Sequence, residues 1–335
     1  MHPLTRRAVL LLAAFIFHAG LARAEEIFKF PSAEFAGKYE MSRADAKSKP
    51  IEVFGYLSMP TVPVSGKLPV VVIAHGSAGV EPKDREFWAP YFNRLGFAAL
   101  VVDSFTPRGV TRTVDDQTLV SRAANTVDAF YALKALAADP RFDANKIGII
   151  GFSRGGGAAN ETANKTFKTN VLGDSAGLQY AFHIPMYLNC QDSRYRKNGS
   201  YDKTGAPMLF LVGSNDDYTP GEQCVGMIEA LQAEYPNVID YRMYLGARHS
   251  FDADHGVGYL ANGVTARDCP VLEIDLKDWS MHIVATGERL PLAKQREMYK
   301  TCVSRGVSFG TKGPKYRDMA AKDIRDFLHR TKILD

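Results

Sequence analysis

The stretch Lys146-Ile147-Gly148-Ile149-Ile150-Gly151-Phe152-Ser153-Arg154-Gly155-Gly156-Gly157-Ala158-Ala159 decides how the chain is read. Its beginning is a short apolar run of the kind that forms a strand covered on both faces. Its end, from Arg154 onward, is a series of small residues that opens a helix. Between them stands Gly-x-Ser-x-Gly, the spacing of a strand-to-helix turn that holds a serine at its tip. Such a turn is tight and strained, and bulk on either side of Ser153 would block it, so glycine is required there for steric reasons. The helix N-terminus then lies beneath any oxyanion that forms at the serine. The same letters also fit a plain glycine-rich turn, but the strand before and the helix after favour a nucleophile.

Working outward, Val70 to Ala74, Phe97 to Val102 and Met208 to Val212 are further apolar runs bounded by Gly, Pro or Asp, spaced too widely for hairpins. Val120, Ala123, Val127, Phe130 and Leu133 recur at helical steps until Asp139-Pro140, so strand, helix and strand alternate and imply a parallel α/β sheet. Residues 238 to 244 alternate in polarity and suggest a strand nearer the edge. The last helix is expected over about Tyr316 to Leu328, with Met319, Ile324, Phe327 and Leu328 as its apolar face. From about 252 to 314 the chain is least regular, and reads either as a cap over a site or as a surface excursion.

A serine nucleophile needs a base, and the base needs a carboxylate to fix its tautomer. In the order Ser, Asp, His, the candidates leave strand ends on the same side of the sheet. Gly213-Ser214-Asn215-Asp216-Asp217-Tyr218-Thr219-Pro220 supplies Asp216 as the preferred acid, with Asp217 as competitor. Gly246-Ala247-Arg248-His249-Ser250-Phe251 supplies His249 as the base. Protonation of such a base predicts loss of activity below about pH 6.5. His183, His282 and His329 lack that context, and His75 reads as a structural loop residue. The loop His75-Gly76-Ser77-Ala78-Gly79 allows close approach of backbone N–H groups, so the amides of Ser77 and Arg154 are the expected oxyanion donors, with Gly76 as substitute. Asp252, Asp254 and His255 could suggest a metal, but carboxylates beside such a loop are more often solvated or hydrogen-bonded, and no metal is expected.

Composition bounds the setting. The chain has 335 residues, 46% hydrophobic and 23% charged, which is the ordinary globular range. The formal charge of +4 includes Arg6, Arg7 and Arg23, and without them it is too small to suggest a nucleic-acid surface. Those arginines flank an apolar run from Ala8 to Phe17, followed by Ala22-Arg23-Ala24, so residues 1–24 read as an export signal and residues 25–335 as a single domain. The run is shorter than a spanning helix needs, and no later segment is long enough, so no stable membrane insertion is expected after cleavage. Cys190, Cys224, Cys269 and Cys302 then meet a periplasmic or extracellular environment, where disulfides are favoured. Of the three connectivities, the sequential pairs are preferred, because Cys190 follows one expected strand and Cys224 lies just past the next.

Together, His75-Gly76-Ser77, Val102-Asp103-Ser104-Phe105-Thr106-Pro107-Arg108-Gly109, Gly151 to Gly156, Gly213 to Pro220 and Ala247 to Phe251 resemble the dienelactone hydrolase family of the α/β-hydrolase superfamily. The resemblance runs from about Leu68 to Phe251, plus the final helix. It implies the α/β-hydrolase fold, with a mostly parallel twisted sheet of about eight strands between helices, no cofactor, and hydrolysis through an acyl-enzyme. It would place Arg108 near the site entrance, as an anion clamp or as half of a structural salt bridge. This chain departs from the well-known members by carrying Ser153 where they carry cysteine, by its long segment before the last helix, and by its export signal. The expectation is therefore an exported serine hydrolase of a small-molecule ester or lactone. A peptidase or thioesterase on the same residues, an acyltransferase and a non-catalytic binding protein are the alternatives.

Overall fold

The computed structural model describes residues 25–334, so the expected export signal at 1–24 lies outside the described residues. In chain order the first strands are β1 (Glu26–Glu34), β2 (Lys49–Ser58), β3 (Leu68–Ala74), β4 (Ala98–Asp103), β5 (Phe142–Phe152), β6 (His183–Met186), β7 (Arg194–Arg196), β8 (Met208–Gly213) and β9 (Ile239–Tyr244). All except β7 join one eight-stranded sheet in the order β1-β2-β4-β3-β5-β6-β8-β9. From β4 to β9 neighbouring strands are parallel, while β2 runs antiparallel to β4 and β1 antiparallel to β2. The fold is of the α/β class, a mostly parallel eight-stranded sheet flanked by helices.

Alternation along each central strand builds two apolar layers. Val70, Val72, Leu100 and Ile149 face one layer, whereas Val71, Ile73, Val101 and Ile150 face the other. The first is closed by helix Ala124–Ala138 through Val127, Phe130 and Leu133. The second is closed by Trp88, Phe92 and the final helix Lys315–Arg330. Each fully buried side chain of this size contributes roughly 1.5–3 kcal/mol of transfer free energy, so these layers hold the loops at the strand ends in place. Strand β9 is only partly buried over Asp240 to Met243, in keeping with its place at the sheet edge.

Two expectations about helices need correction. Helix Ala124–Ala138 starts after Val120 and Ala123, which are buried in the approach to it rather than in its turns. In the final helix Met319 is 41% exposed, and Ala320 packs inward with Ile324, Phe327 and Leu328, because the stripe i, i+4, i+7, i+8 is counted from position 320.

The irregular stretch is more ordered than its sequence suggests. It contains β10 (Gly258–Thr265), β11 (Leu272–Asp275), β12 (Met281–Ile283), β13 (Arg289–Leu290), a helix at Leu292–Cys302 and β14 (Ser304–Phe309). β10 and β14 form an antiparallel ribbon, and β7 lends an edge to β13-β12-β11. Cys269 is bonded to Cys302, and Cys190 to Cys224, the sequential pairs preferred from sequence. Among the described residues no helix is long and apolar enough to cross a membrane.

Candidate active site

The parallel strands β3, β5, β8 and β9 deliver their loops to one end of the sheet. At the tip of β5, Ser153 has φ 53° and ψ −111°, a conformation costly for any residue with a Cβ. The turn is possible because its neighbours lack side chains. A Cβ on Gly155 would overlap the Ala74 carbonyl, and one on Gly151 would overlap the Gly155 carbonyl. Helix Arg154–Glu161 begins immediately, and the Ser153 amide donates to the Met186 carbonyl, which pins the turn to β6.

His249, in the loop after β9, places Nε2 2.9 Å from Ser153 Oγ. Its Nδ1 lies 2.9 Å from Asp216 Oδ2 and 3.0 Å from Thr219 Oγ1. The Thr219 hydroxyl donates to the Tyr187 carbonyl at 2.9 Å, so its lone pairs face Nδ1. An Nδ1–H shared between Asp216 and Thr219 leaves the Nε2 lone pair directed at Ser153. Asp216 is held by its own loop: Oδ1 accepts the amides of Tyr218 at 2.9 Å and Thr219 at 2.8 Å, and the side chain is fully buried. Asp217 points elsewhere, accepting the Ser308 amide at 2.8 Å from β14 with its side chain 39% exposed. Of the two candidate acids, Asp216 is the one brought to His249.

The loop after β3 reaches the same place. Ser77 lines the cleft with Ser153 and Arg154, and among the described residues neither the Ser77 nor the Arg154 amide has a backbone acceptor. A Cβ on Gly76 would meet the Phe152 carbonyl oxygen at 3.3 Å and Ser153 Cβ at 3.5 Å, so the loop packs tightly against the serine turn. His75 is structural: Nδ1 donates to the Gly76 carbonyl at 2.7 Å and Nε2 accepts the Ser104 amide at 3.1 Å. Burial lowers its pKa, which keeps the ring neutral and these roles fixed.

Arg108 does not reach the cleft. Its guanidinium is bidentate on buried Asp128, at 2.8 and 3.1 Å, and also bonds the Ser104 carbonyl. This is the salt-bridge role and not the anion clamp, because the buried guanidinium is committed to Asp128 and the Ser104 carbonyl, with Glu34 3.3 Å from Nε. Asp252 is likewise spent: it accepts from Trp88 Nε1 at 2.8 Å and Tyr187 OH at 2.7 Å, with Lys83 Nζ 3.7 Å away. Asp254 pairs with Arg317, and among the described residues no group of His, Cys, Asp and Glu could hold a metal. His183 is buried against the Ala159 carbonyl, far from solvent, with its pKa pushed down to about 3 by burial.

Several neighbours of the triple Ser153, His249 and Asp216 were not singled out from sequence. Thr219 was inside the quoted loop, and its position three residues after Asp216 is the signal that could have found it. Tyr187, whose ring packs edge-on to His249 at 5.0 Å, adopts φ 35° and hangs from Asp252 on a distant loop. Nothing local in the sequence marks it. Gln117 donates to Ser77 Oγ at 3.0 Å and approaches Arg154 Nη1 at 3.3 Å. Arg154 itself is capped by Asn125 Oδ1, Val120 O and Ser121 O, all uncharged, and burial first, then Arg122 and Arg108, push its pKa down to about 10.

The cleft above Ser153 encloses about 260 Å³. One part of its lining comes from the long excursion, through Val264, Thr265, Ala266, Tyr299 and Val303. The excursion is therefore a wall of the site. It also braces the base, since the Gly310 amide donates to the His249 carbonyl at 2.7 Å.

The chain is similar to the Aspergillus flavus protein named "Probable dipeptidyl peptidase 4", at 24% identity over 225 residues, which is 59% of this chain and 28% of that protein. The chain thus spans little more than a quarter of the length of that curated relative. Among solved structures it is similar to Thermogutta terrifontis esterase 2 phosphorylated by paraoxon, at 19% identity, covering 69% of this chain and 86% of that one with a TM-score of 0.47. It is also similar to a dienelactone hydrolase-like promiscuous phosphotriesterase from metagenomic libraries, at 19% identity, covering 69% and 85% with a TM-score of 0.45. The dienelactone hydrolase family matches residues 53–268, well over half of the chain, and the chain belongs to that family.

Proposed function

We propose that the protein is a serine hydrolase that cleaves a carboxylic ester or lactone through an acyl-enzyme. The observation that carries this reading is the pair of hydrogen bonds through His249, Nε2 to Ser153 Oγ and Nδ1 to Asp216 Oδ2, both 2.9 Å, opening on a cleft. Ser153 Oγ attacks the carbonyl carbon while His249 Nε2 takes its proton. The oxyanion is met by the Ser77 and Arg154 amides. Collapse breaks the bond to the leaving oxygen, which receives the proton from His249. Water then repeats the cycle on the acyl group, giving its proton to His249 and releasing the acid with Ser153 restored. Asp216 stays ionised, orients the ring and stabilises the imidazolium.

The two disulfides and the expected signal support an exported, periplasmic or secreted enzyme in which residues 25–335 act as one domain. The Aspergillus flavus relative motivates a second reading, a peptidase on the same residues. Mature protein treated with a fluorophosphonate should gain one adduct by intact mass, and Ser153→Ala should gain none. Turnover of p-nitrophenyl esters with no cleavage of dipeptidyl p-nitroanilides selects the esterase. Folded protein that neither labels nor turns over either class would overturn the hydrolase and leave a binding protein.

A further inference from the structure

Beside Ser153 the cleft is lined by five charged side chains, Lys38, Arg122, Arg154, Glu161 and Asp192. Three of them are spent on the protein, Arg154 on Asn125 Oδ1 and the Val120 and Ser121 carbonyls. Lys38 Nζ contacts Glu161 Oε1, and Glu161, whose side chain is 1% exposed, also accepts from Thr126 Oγ1 at 2.7 Å. The other two are not. Asp192 takes one bond from Asn189 Nδ2 at 2.9 Å and one from Arg122 Nη1 at 3.2 Å, which leaves lone pairs on both oxygens. The Arg122 side chain is 53% exposed, and among the described residues its remaining N–H groups have no protein partner. Tyr299 from the excursion reaches the same place, its hydroxyl donating to Gln191 Oε1 at 3.1 Å.

We infer that this pair is a subsite for a neutral hydroxylated group, so that the ester is one carrying free hydroxyls, as a glycerol or sugar ester does. The inference rests on the hydrolase reading above. Arg122 and Asp192 offer unspent donors and acceptors side by side with no net charge. An alkyl group placed there would desolvate both without replacing their bonds. A carboxylate would gain from Arg122 but meet the Asp192 carboxylate paired with it. Hydroxyls answer both partners, donating to Asp192 and accepting from Arg122. The Tyr218 and Tyr299 side chains and the apolar Val264 and Val303 line the same cleft and suit the C–H faces of such a group.

The test uses three esters of one acid: 1-monobutyrin, propyl butyrate and 3-(butyryloxy)propanoate, followed by pH-stat with the full mature protein. They share the butyryl group and a three-carbon alcohol portion, and differ in two hydroxyls, none, or a carboxylate. The expected ratio of kcat/KM for monobutyrin over propyl butyrate is roughly tenfold, the scale of one or two hydrogen bonds to charged groups. Arg122→Gln and Asp192→Asn should each bring that ratio toward one. Arg122→Gln changes a half-exposed side chain, so it keeps the test available if Asp192→Asn fails to fold. A ratio near one in the wild type, preference for the anionic ester, or a ratio retained in both variants overturns the subsite while leaving the hydrolase standing. Absence of turnover on all three, in folded protein that also fails to react with a fluorophosphonate, overturns both.

Discussion

Replacing Asp216 by asparagine separates the chemistry of the site from its shape. The new amide can keep its oxygen where Oδ1 now accepts the Tyr218 and Thr219 amides, at 2.9 and 2.8 Å, so the loop loses little. Its NH₂ then faces His249 Nδ1 and donates to it. That forces the ring proton to Nε2, which points at Ser153 Oγ from 2.9 Å and can no longer accept its proton. The carboxylate charge is lost as well. At the observed Nδ1 to Oδ2 separation of 2.9 Å, an imidazolium and a carboxylate attract by about 6 kcal/mol at an effective dielectric near 20. Each 1.36 kcal/mol is about tenfold in rate, so kcat should fall by roughly 10⁴. Asp217→Asn is the control, because that side chain serves β14 through the Ser308 amide and should change kcat by less than about threefold. Steady-state hydrolysis of p-nitrophenyl butyrate, with thermal melts to show both variants folded, reads the difference. If folded Asp216→Asn kept a tenth of kcat, or Asp217→Asn lost a hundredfold, the assignment of acid and base would be wrong.

Lys203 gives a prediction about stability and pH. Its amine is buried, bonded to Asn160 O at 2.7 Å and Asn160 Oδ1 at 2.8 Å, and burial depresses its pKa to about 7. Between pH 7 and 10.5 the unfolded chain holds a proton here that the folded chain has released, so stability rises with pH in that window and the charge is a fixed penalty below it. Relative to Lys203→Met, wild type should gain up to about 1.4 kcal/mol per pH unit between pH 7 and 9 in urea unfolding; a flat difference refutes the buried amine. Removing the bridge between Cys269 and Cys302, which closes a separation of 33 residues, should cost about 3 to 4 kcal/mol in the chain-entropy account. Because the bridge holds the wall that carries Ala266, Tyr299 and Val303, the Cys269→Ala/Cys302→Ala protein should show a KM raised severalfold with kcat within about threefold. Unaltered KM would mean that the wall does not depend on its staple.

The central strands, the order in which the candidate residues leave them and the serine turn could all be read from the chain because each is encoded locally, whereas the cysteine pairing, over separations of 34 and 33 residues, was a preference that the fold decided. Apolar runs mark fully covered strands, and glycine at 151 and 155 reports a backbone crowding that acts within a few residues. The antiparallel pair β1 and β2 was not legible, since Pro31 and Pro50 interrupt the pattern by which a strand is recognised. Strand β6, four buried residues, is too short to show a period.

Within the site the division follows the same physical line. Sequence alone determined that Ser153, His249 and an aspartate at 216 or 217 would leave the same end of a parallel sheet, because strand direction and chain order fix that. Only the tertiary structure chose between the two aspartates, by letting the Asp216 loop amides aim one carboxylate inward while β14 claimed the other. It likewise assigned Arg108 to Asp128, Asp252 to Tyr187 and Trp88, and Arg122 to Asp192 at the cleft. A charged side chain is as good a ligand for substrate as for a neighbour, and which partner it takes depends on what folding brings within about 3 Å of it.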